Sequence, residues 1–153
     1  MQTVFINALI VLAAFTGMEF VAWFTHKYIM HGLLWILHKD HHKKESKGWF
    51  EHNDFFFLIF ALPGIAALFI GMQNQYNFLF WIGLGITLYG LAYFLVHDIF
   101  IHRRLRIFGQ TDSTYFKAIR KAHKIHHKQL KKENGECFGL LWMPYKYYVE
   151  QKK

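Results

Sequence analysis

The stretch "HKYIMHGLLWILHKDHH", residues 26–42, places five histidines immediately after an apolar run. From Thr3 to Phe24 the only formally charged side chain is Glu19. A helix of that length is about 33 Å long, which is enough to cross the hydrocarbon core of a bilayer. The sequence therefore predicts a membrane-spanning helix that carries a cluster of imidazoles at its end.

Two further apolar runs follow, at residues 55–72 and 78–96. One such run is compatible with a buried helix of a soluble protein, but three runs in 153 residues leave too little polar surface to cover them. We therefore predict a single all-α integral membrane domain, residues 1–153, with three transmembrane helices and a cytoplasmic, helical, histidine-rich cap. An arrangement of four spans, with one segment re-entrant, stays open.

The positive charges occupy two segments of the chain. All 18 Lys and Arg residues fall within residues 27–47 and 103–153, although the net charge is +8. This asymmetry follows the positive-inside rule and argues against nucleic acid as a partner. It predicts an inner-membrane protein with its N-terminus outside and its histidines and C-terminus in the cytoplasm. The basic segments are expected to attract anionic lipid, and docking of an acidic soluble partner is the alternative.

Two histidine spacings each occur twice. H-x4-H is formed by His26 with His31 and by His97 with His102, and H-x2-H-H by residues 38–42 and 123–127. Positions i, i+3 and i+4 share a helix face, so the imidazoles of one H-x2-H-H box can converge on one metal ion. Positions i and i+5 lie about 140° apart on a regular helix. Such a pair either straddles two ions or meets one ion where the helix unwinds locally.

Two sets of five histidines suggest a centre of two metal ions. The candidate ligands are His26, His31, His38, His41, His42, His97, His102, His123, His126 and His127. Imidazole suits zinc, copper, iron and nickel alike, but a structural zinc closes with four ligands and would not need ten. A redox pair such as di-iron uses the extra ligands and leaves room for dioxygen. The single Cys137 excludes a cysteine-ligated cluster within one chain, and His52, which fits neither spacing, is expected in a solvated loop.

Acidic residues near the histidines are candidates for orienting them. Glu19 lies two turns before His26 on nearly the same helix face, so it either tunes the centre or makes a structural bond between helices. Asp98 and Asp40 stand among the ligands and could accept hydrogen bonds from imidazole N–H groups.

For the other polar residues near the histidines, the sequence allows two roles each. Asn53 and Asp54 either orient an imidazole or cap the helix that follows them. Tyr89 and Tyr93 share one face of the third apolar run with His97. They are candidates for lining an apolar substrate path, and packing within a helix bundle is the alternative.

The sequence resembles the fatty-acid hydroxylase and sterol desaturase superfamily, which is defined by these H-x4-H and H-x2-H-H boxes. Within it the likeness narrows to the bacterial-type β-carotene 3-hydroxylases. The stretches that carry the likeness are "GMEFVAWFTHKYIMHG", "HKDHH", "GWFEHNDFF", "YGLAYFLVHDIFIHRR", "AHKIHH" and "ENGECFGLLWMPYK". Together they run from about residue 7 to residue 146, nearly the whole chain.

The resemblance implies a non-haem di-iron membrane monooxygenase with all ten histidines as ligands. Such an enzyme uses dioxygen and two electrons to hydroxylate C3 of each β-ionone ring, giving zeaxanthin through β-cryptoxanthin. Zinc can replace the iron on purification. The chain has no Rossmann glycine fingerprint, flavin motif or cysteine cluster, so the electrons are expected from an external, reduced ferredoxin-like donor. The carotenoid would reach the centre from the bilayer.

Two alternatives remain beside this interpretation. One is a related membrane di-iron oxygenase that acts on C4 of carotenoids, or on acyl or sterol substrates. The other is a membrane protein that binds or transports metal without oxygen chemistry. Transport requires polar groups in the middle of the spans, and the second and third apolar runs almost lack them.

Overall fold

The computed structural model describes residues 1–43, 48–105, 107, 110–131, 133 and 135–152. Every regular element in these residues is helical, and none of them forms a strand, so the prediction of an all-α fold is confirmed. We label the π-helical segments π1 and π2. In chain order the elements are α1 (Gln2–Phe24), π1 (Thr25–Leu33), α2 (Trp35–His42), a 3₁₀ turn (His52–Asp54), α3 (Phe55–Gln73), α4 (Phe78–Tyr93), π2 (Phe94–Ile101), α5 (Thr114–His126) and α6 (Tyr145–Glu150).

Three helical stretches are long and apolar enough to cross a membrane. They are Gln2–Leu33, His52–Gln73 and Phe78–Ile101, and they coincide with the three apolar runs of the sequence. Large apolar side chains such as Phe20, Phe57 and Phe69 remain exposed along them. Apolar groups on this scale are stable in contact with lipid rather than with water. The three stretches therefore indicate a membrane protein.

The first of two compact units comprises residues 1–18 and 54–92. Its helices approach each other closely at glycines. A Cβ at Gly71 of α3 would overlap the backbone of Phe80 in α4, and a Cβ at Gly85 would lie 2.6 Å from the carbonyl oxygen of Val11 in α1. Small residues allow this approach, which compensates for the weak hydrophobic drive between helices in lipid.

The second compact unit comprises residues 19–53 and 93–153 and contains every histidine of the chain. Helix α5 begins at the cap of Ser113, whose hydroxyl oxygen accepts from the N–H of Phe116 at 3.5 Å. One face of α5 packs Ala118 and Ala122 against Tyr147 of α6. This packing fixes α5, so its last turn presents a row of histidines.

Both H-x4-H motifs lie in π-helical segments. The N–H of Leu34 donates to the carbonyl of Ile29 at 2.8 Å, and the N–H of His102 donates to the carbonyl of His97 at 2.9 Å. In a π-helix the hydrogen bond joins residues five apart, which brings positions i and i+5 onto one side. Gly32, in the last turn of π1, has non-helical dihedral angles (φ −126°, ψ −109°), and the chain then turns into α2.

Candidate metal centre

The structure brings the ten candidate histidines together in two groups. In each group one nitrogen from every member lies within 4.8 Å of the others. The first group comprises His26, His31, His38, His42 and His126, and the second comprises His41, His97, His102 and His123. His127 adjoins the second group, because its Nε2 lies 2.9 Å from Nε2 of His123.

The π-helices account for the two H-x4-H pairs. His26 and His31 both belong to the first group, and His97 and His102 both belong to the second. A regular α-helix would separate each pair by about 140°. Of the two alternatives that the sequence left open, each pair therefore follows the second, in which the helix changes locally and both imidazoles face one position.

The two H-x2-H-H boxes are divided between the groups, which differs from the expectation that one box converges on one ion. His38 and His42 face the first group, whereas His41 faces the second. The physical reason is the helical rotation of about 100° per residue, which places His41 and His42 on opposite sides of His38. In α5, His123 and His126 are divided in the same way.

Hydrogen bonds fix the tautomers of the first group. Four of its five imidazoles donate Nδ1–H to uncharged oxygens: His26 to the Phe138 carbonyl (2.9 Å), His31 to the Leu130 carbonyl (3.3 Å), His126 to the Glu136 carbonyl (2.9 Å) and His38 to Oδ1 of Asn53 (2.6 Å). A carbonyl oxygen only accepts, so the proton of each neutral ring sits on Nδ1. Each Nε2 therefore keeps a free lone pair.

These lone pairs face one another. Nε2 of His26 lies 3.1 Å from Nε2 of His38, and Nε2 of His31 lies 3.2 Å from Nε2 of His126. Neither pair has a proton left to share, so the lone pairs repel unless a cation neutralises them. Two nitrogens bound about 2.1 Å from one ion and at right angles are about 3 Å apart. The donor set therefore fits a metal ion.

Unpartnered nitrogens point to the same conclusion. Within the described residues, Nε2 of His41 and both ring nitrogens of His42 are buried without a hydrogen-bond partner. A buried polar atom without a partner costs about 1–3 kcal/mol. A metal ion at each position would use such nitrogens as ligands.

The second group is oriented by carboxylates. His41 donates Nδ1–H to Oε2 of Glu51 at 2.9 Å, and His97 donates to Oδ1 of Asp98 at 2.9 Å. Arg104 donates to the same Glu51 oxygen at 3.1 Å, and its Nε lies 3.8 Å from the same Asp98 oxygen. The orienting role expected of Asp98 thus has a geometric basis in its bond to His97.

Burial keeps these imidazoles neutral. It is the largest cause that lowers the pKa of His38, His42 and His127 to about 3 and the pKa of His102 to about 4. Neighbouring imidazoles lower the pKa of His42 and His127 further, and the Arg104 cation lowers that of His102. A metal accepts the neutral form of imidazole, so the centre is ready to bind at neutral pH.

Glu19 makes a structural bond. Its Oε1 accepts from the backbone N–H groups of Leu141 and Trp142, both at 2.9 Å. A Cβ at Gly139 would lie 2.6 Å from the same oxygen, so the C-terminal segment passes close to this carboxylate. Of the two alternatives raised for Glu19, these contacts correspond to the structural one.

Residues 52 and 53, just before α3, make hydrogen bonds to side chains of α2. Asp40 accepts from the backbone N–H of His52 at 2.6 Å and from its Nδ1 at 2.9 Å. The His52 side chain is 66% exposed, in agreement with its expected place in a solvated loop. Asn53 is buried against His38, whereas Asp54 precedes α3 without a side-chain cap bond. Asn53 thus orients an imidazole rather than a helix end.

The two candidate substrate tyrosines lie in different surroundings. The ring of Tyr93 stacks on that of His97, with centroids 4.4 Å apart. Tyr89 is buried and meets Phe15 edge to face at 5.5 Å. Tyr93 therefore contacts a candidate ligand, while Tyr89 takes part in helix packing.

Sequence reasoning missed Glu51 and Arg104. Their contacts join residues ten to 53 positions apart, and neither residue stands within an H-x4-H or H-x2-H-H box. Both line a cavity of about 400 Å³ that reaches the second group; its lining comprises His41, His42, Trp49, Glu51, His102, Arg103 and Arg104. Arg104 follows His102 by two positions, and this cation beside a histidine box was the signal available.

Comparison with known proteins agrees with the family likeness that the histidine boxes indicated. The fatty acid hydroxylase family matches residues 11–145. The β-carotene hydroxylases of Pantoea ananas and Pseudescherichia vulneris are each 42% identical to the chain, covering 90% of it and 78% and 77% of their own lengths. The chloroplastic β-carotene 3-hydroxylase of Gentiana lutea is 40% identical over 87% of this chain and 42% of its own. No solved structure matches the chain.

Proposed function

The chain belongs to the fatty acid hydroxylase family, and from this premise we propose that it is a β-carotene hydroxylase that acts on C3 of the β-ionone rings. Its products are β-cryptoxanthin and then zeaxanthin. The bacterial relatives support β-carotene as substrate, and the name of the Gentiana lutea relative supports position 3. The observation that carries the proposal is the convergence of ten histidines, in two groups, within a chain of this family.

We propose iron as the metal at both positions. The first group would hold one ion, and the second group with His127 would hold the other. When bound, the two irons supply the activation of dioxygen that hydroxylation of an unactivated C–H bond requires. Zinc can occupy the same imidazoles on purification, since both metals accept this ligand.

The protein's own residues hold the imidazoles neutral, oriented and dry. His38 and His126 are 1% and 0% exposed. The Phe138 ring covers one side of the first group, with centroid distances of 5.5 Å to His26, 5.2 Å to His31 and 5.0 Å to His126. Exclusion of water protects a reactive centre from side reactions. Tyr93, stacked on His97, is proposed to contact the carotenoid ring.

The charge and hydropathy of the chain support an orientation in the membrane and a route for the substrate. We propose that the carotenoid enters from the bilayer and that the centre faces the cytoplasm at the inner membrane, with the N-terminus outside. The basic segments 27–47 and 103–153 support this orientation. Their positive charge would also attract anionic lipid and a negatively charged, reduced ferredoxin-like electron donor.

Pigment chromatography from a β-carotene-producing bacterial host tests the function. The wild-type chain should yield zeaxanthin and β-cryptoxanthin, and His41→Ala should leave only β-carotene. His52→Ala is the matched control, because this exposed histidine lies outside both groups and should leave the products unchanged.

Two other outcomes would contradict the proposed position of hydroxylation or the proposed substrate. Canthaxanthin would place the oxidation at C4 and contradict the proposed position. Unchanged β-carotene from a folded, membrane-inserted wild-type chain, with a ferredoxin system co-expressed, would contradict the proposed substrate and favour acyl or sterol compounds.

A further inference from the structure

The partners of the two histidine groups differ in charge. In the first group four of the five imidazoles donate to three main-chain carbonyls and to the neutral amide of Asn53. In the second group His41 and His97 donate to the carboxylates of Glu51 and Asp98. Two metal positions with similar ligands are thus held by different supporting residues.

Arg104 connects the two carboxylates. Its guanidinium donates to Oε2 of Glu51 at 3.1 Å, and its Nε lies 3.8 Å from Oδ1 of Asp98. The same two oxygens accept from the imidazoles of His41 and His97. The side chains are largely shielded, at 14% exposure for Arg104 and Glu51 and 17% for Asp98, so solvent screens the interaction only in part.

The backbone directs Arg104 toward this position. Arg103 has a φ of 56°, in the left-handed region, directly after His102. The turn allows the N–H of Arg104 to donate to the carbonyl of Asp98 at 2.9 Å. Left-handed geometry in a residue with a Cβ is unfavourable, and it persists where the surrounding contacts require it.

We propose that Arg104 is a positioning residue for the second metal position alone, acting through Glu51 on His41 and through Asp98 on His97. The inference rests on the proposed centre of two metal ions. Without the guanidinium, two carboxylates of like charge lose the cation between them, and their hold on the two imidazoles weakens. We expect the first position to be unaffected, because four of its five histidines donate to uncharged oxygens.

Iron loading of the purified, full-length protein tests the proposal, with Arg104→Gln as the variant and Arg103→Gln as the control. Arg103 lines the same cavity, so its variant removes the same charge one residue away. We expect about two ions per chain in the wild type and in Arg103→Gln. Arg104→Gln should retain one ion at wild-type affinity and bind the other about 10–100-fold more weakly, the usual effect of losing an outer partner of a metal ligand.

Mössbauer spectra of the ⁵⁷Fe-loaded proteins separate a positioning role from a general structural one. In Arg104→Gln the quadrupole doublet of one iron should be lost or altered while the other is retained. Two ions at wild-type affinity would overturn the proposal. Equal weakening of both ions would also overturn it, because the effect would not be confined to one position.

A second variant covers the case in which Arg104→Gln does not fold. Glu51→Gln with Asp98→Asn removes both negative charges without leaving them opposed, and it should weaken the same single ion. Unchanged binding would overturn the proposal. A wild-type chain that binds fewer than two ions would refute the two-metal centre itself, whereas two ions without carotenoid hydroxylation would refute only the proposed substrate.

Discussion

His41 and His42 are neighbours in the sequence, yet their imidazoles belong to different groups, with ring centroids 6.2 Å apart. Their side chains leave α2 about 100° apart. One helical turn therefore contributes to both metal positions, and the last turn of α5 does the same through His123 and His126. A displacement of either helix must disturb both positions together.

Asn53 should determine metal affinity at the first position. Its Oδ1 accepts from Nδ1 of His38 at 2.6 Å, and the residue is 7% exposed. Asn53→Leu removes the acceptor, so we expect one ion to bind about 10–100-fold more weakly in competition with a chelator. Asn53→Asp keeps an acceptor oxygen and should retain most of the affinity. Equal affinities for the Leu variant and the wild type would refute the orienting role of Asn53.

The approach of α3 to α4 should tolerate no side chain at Gly71. An added Cβ would overlap the backbone of Phe80, which cannot move as a flexible side chain can. Gly71→Ala should therefore destabilise the protein by about 1–3 kcal/mol, measured as a lower thermal midpoint in detergent. Gly90→Ala is the control, because among the described residues no atom beyond its own helical turn lies within 4 Å of the added Cβ. That variant should be neutral or up to about 1 kcal/mol more stable.

The Cys137 thiol should be nearly inert in the folded protein. Burial, and then the negative charge of Glu136, raise the pKa of Cys137 to about 12. At pH 8 the thiolate fraction is then about a thousandfold lower than for a thiol of pKa 9, and only the thiolate is nucleophilic. Iodoacetamide labelling followed by mass spectrometry should therefore be slow in the native protein and rapid in denaturant. Rapid labelling of the native protein would contradict this environment.

The orientation in the membrane can be tested with a reporter. A reporter fused after residue 74, between α3 and α4, should lie outside the cytoplasm, since this loop lacks Lys and Arg. A second fusion after residue 143 should report from the cytoplasm. A cytoplasmic signal from the first fusion would rule out the three-span orientation.

The apolar runs and the histidine spacings predicted most of the fold and the residues that converge. A long apolar run has few alternatives to a membrane helix, and this prediction is confirmed by Gln2–Leu33, His52–Gln73 and Phe78–Ile101. The spacing of His26 and His31 left two geometries open, because a sequence period does not distinguish a π-helical turn from a regular one.

Asp98 and Asn53 were candidates from the sequence, but the other supporting contacts were beyond the reach of sequence patterns. His26 donates to the main-chain carbonyl of Phe138, which lies 112 positions away. A main-chain acceptor is present in every residue, so no residue type marks it. Glu51 and Arg104 carry a recognisable charge, but their pairing depends on how the loop after α2 meets the turn after π2.

The π-helical turns restrict where the chain can change length. Each holds one residue more per hydrogen-bonded ring than an α-helical turn does. Deleting one of the four residues between His26 and His31 would place the histidines at positions i and i+4 of an ordinary α-helix, still on one face. Inserting one residue would place them at i and i+6, about 120° apart on a regular helix. The same holds between His97 and His102. Among relatives of this chain, insertions are therefore expected in the loops and not in these two segments, whereas loss of a single residue would keep each pair of imidazoles on one face.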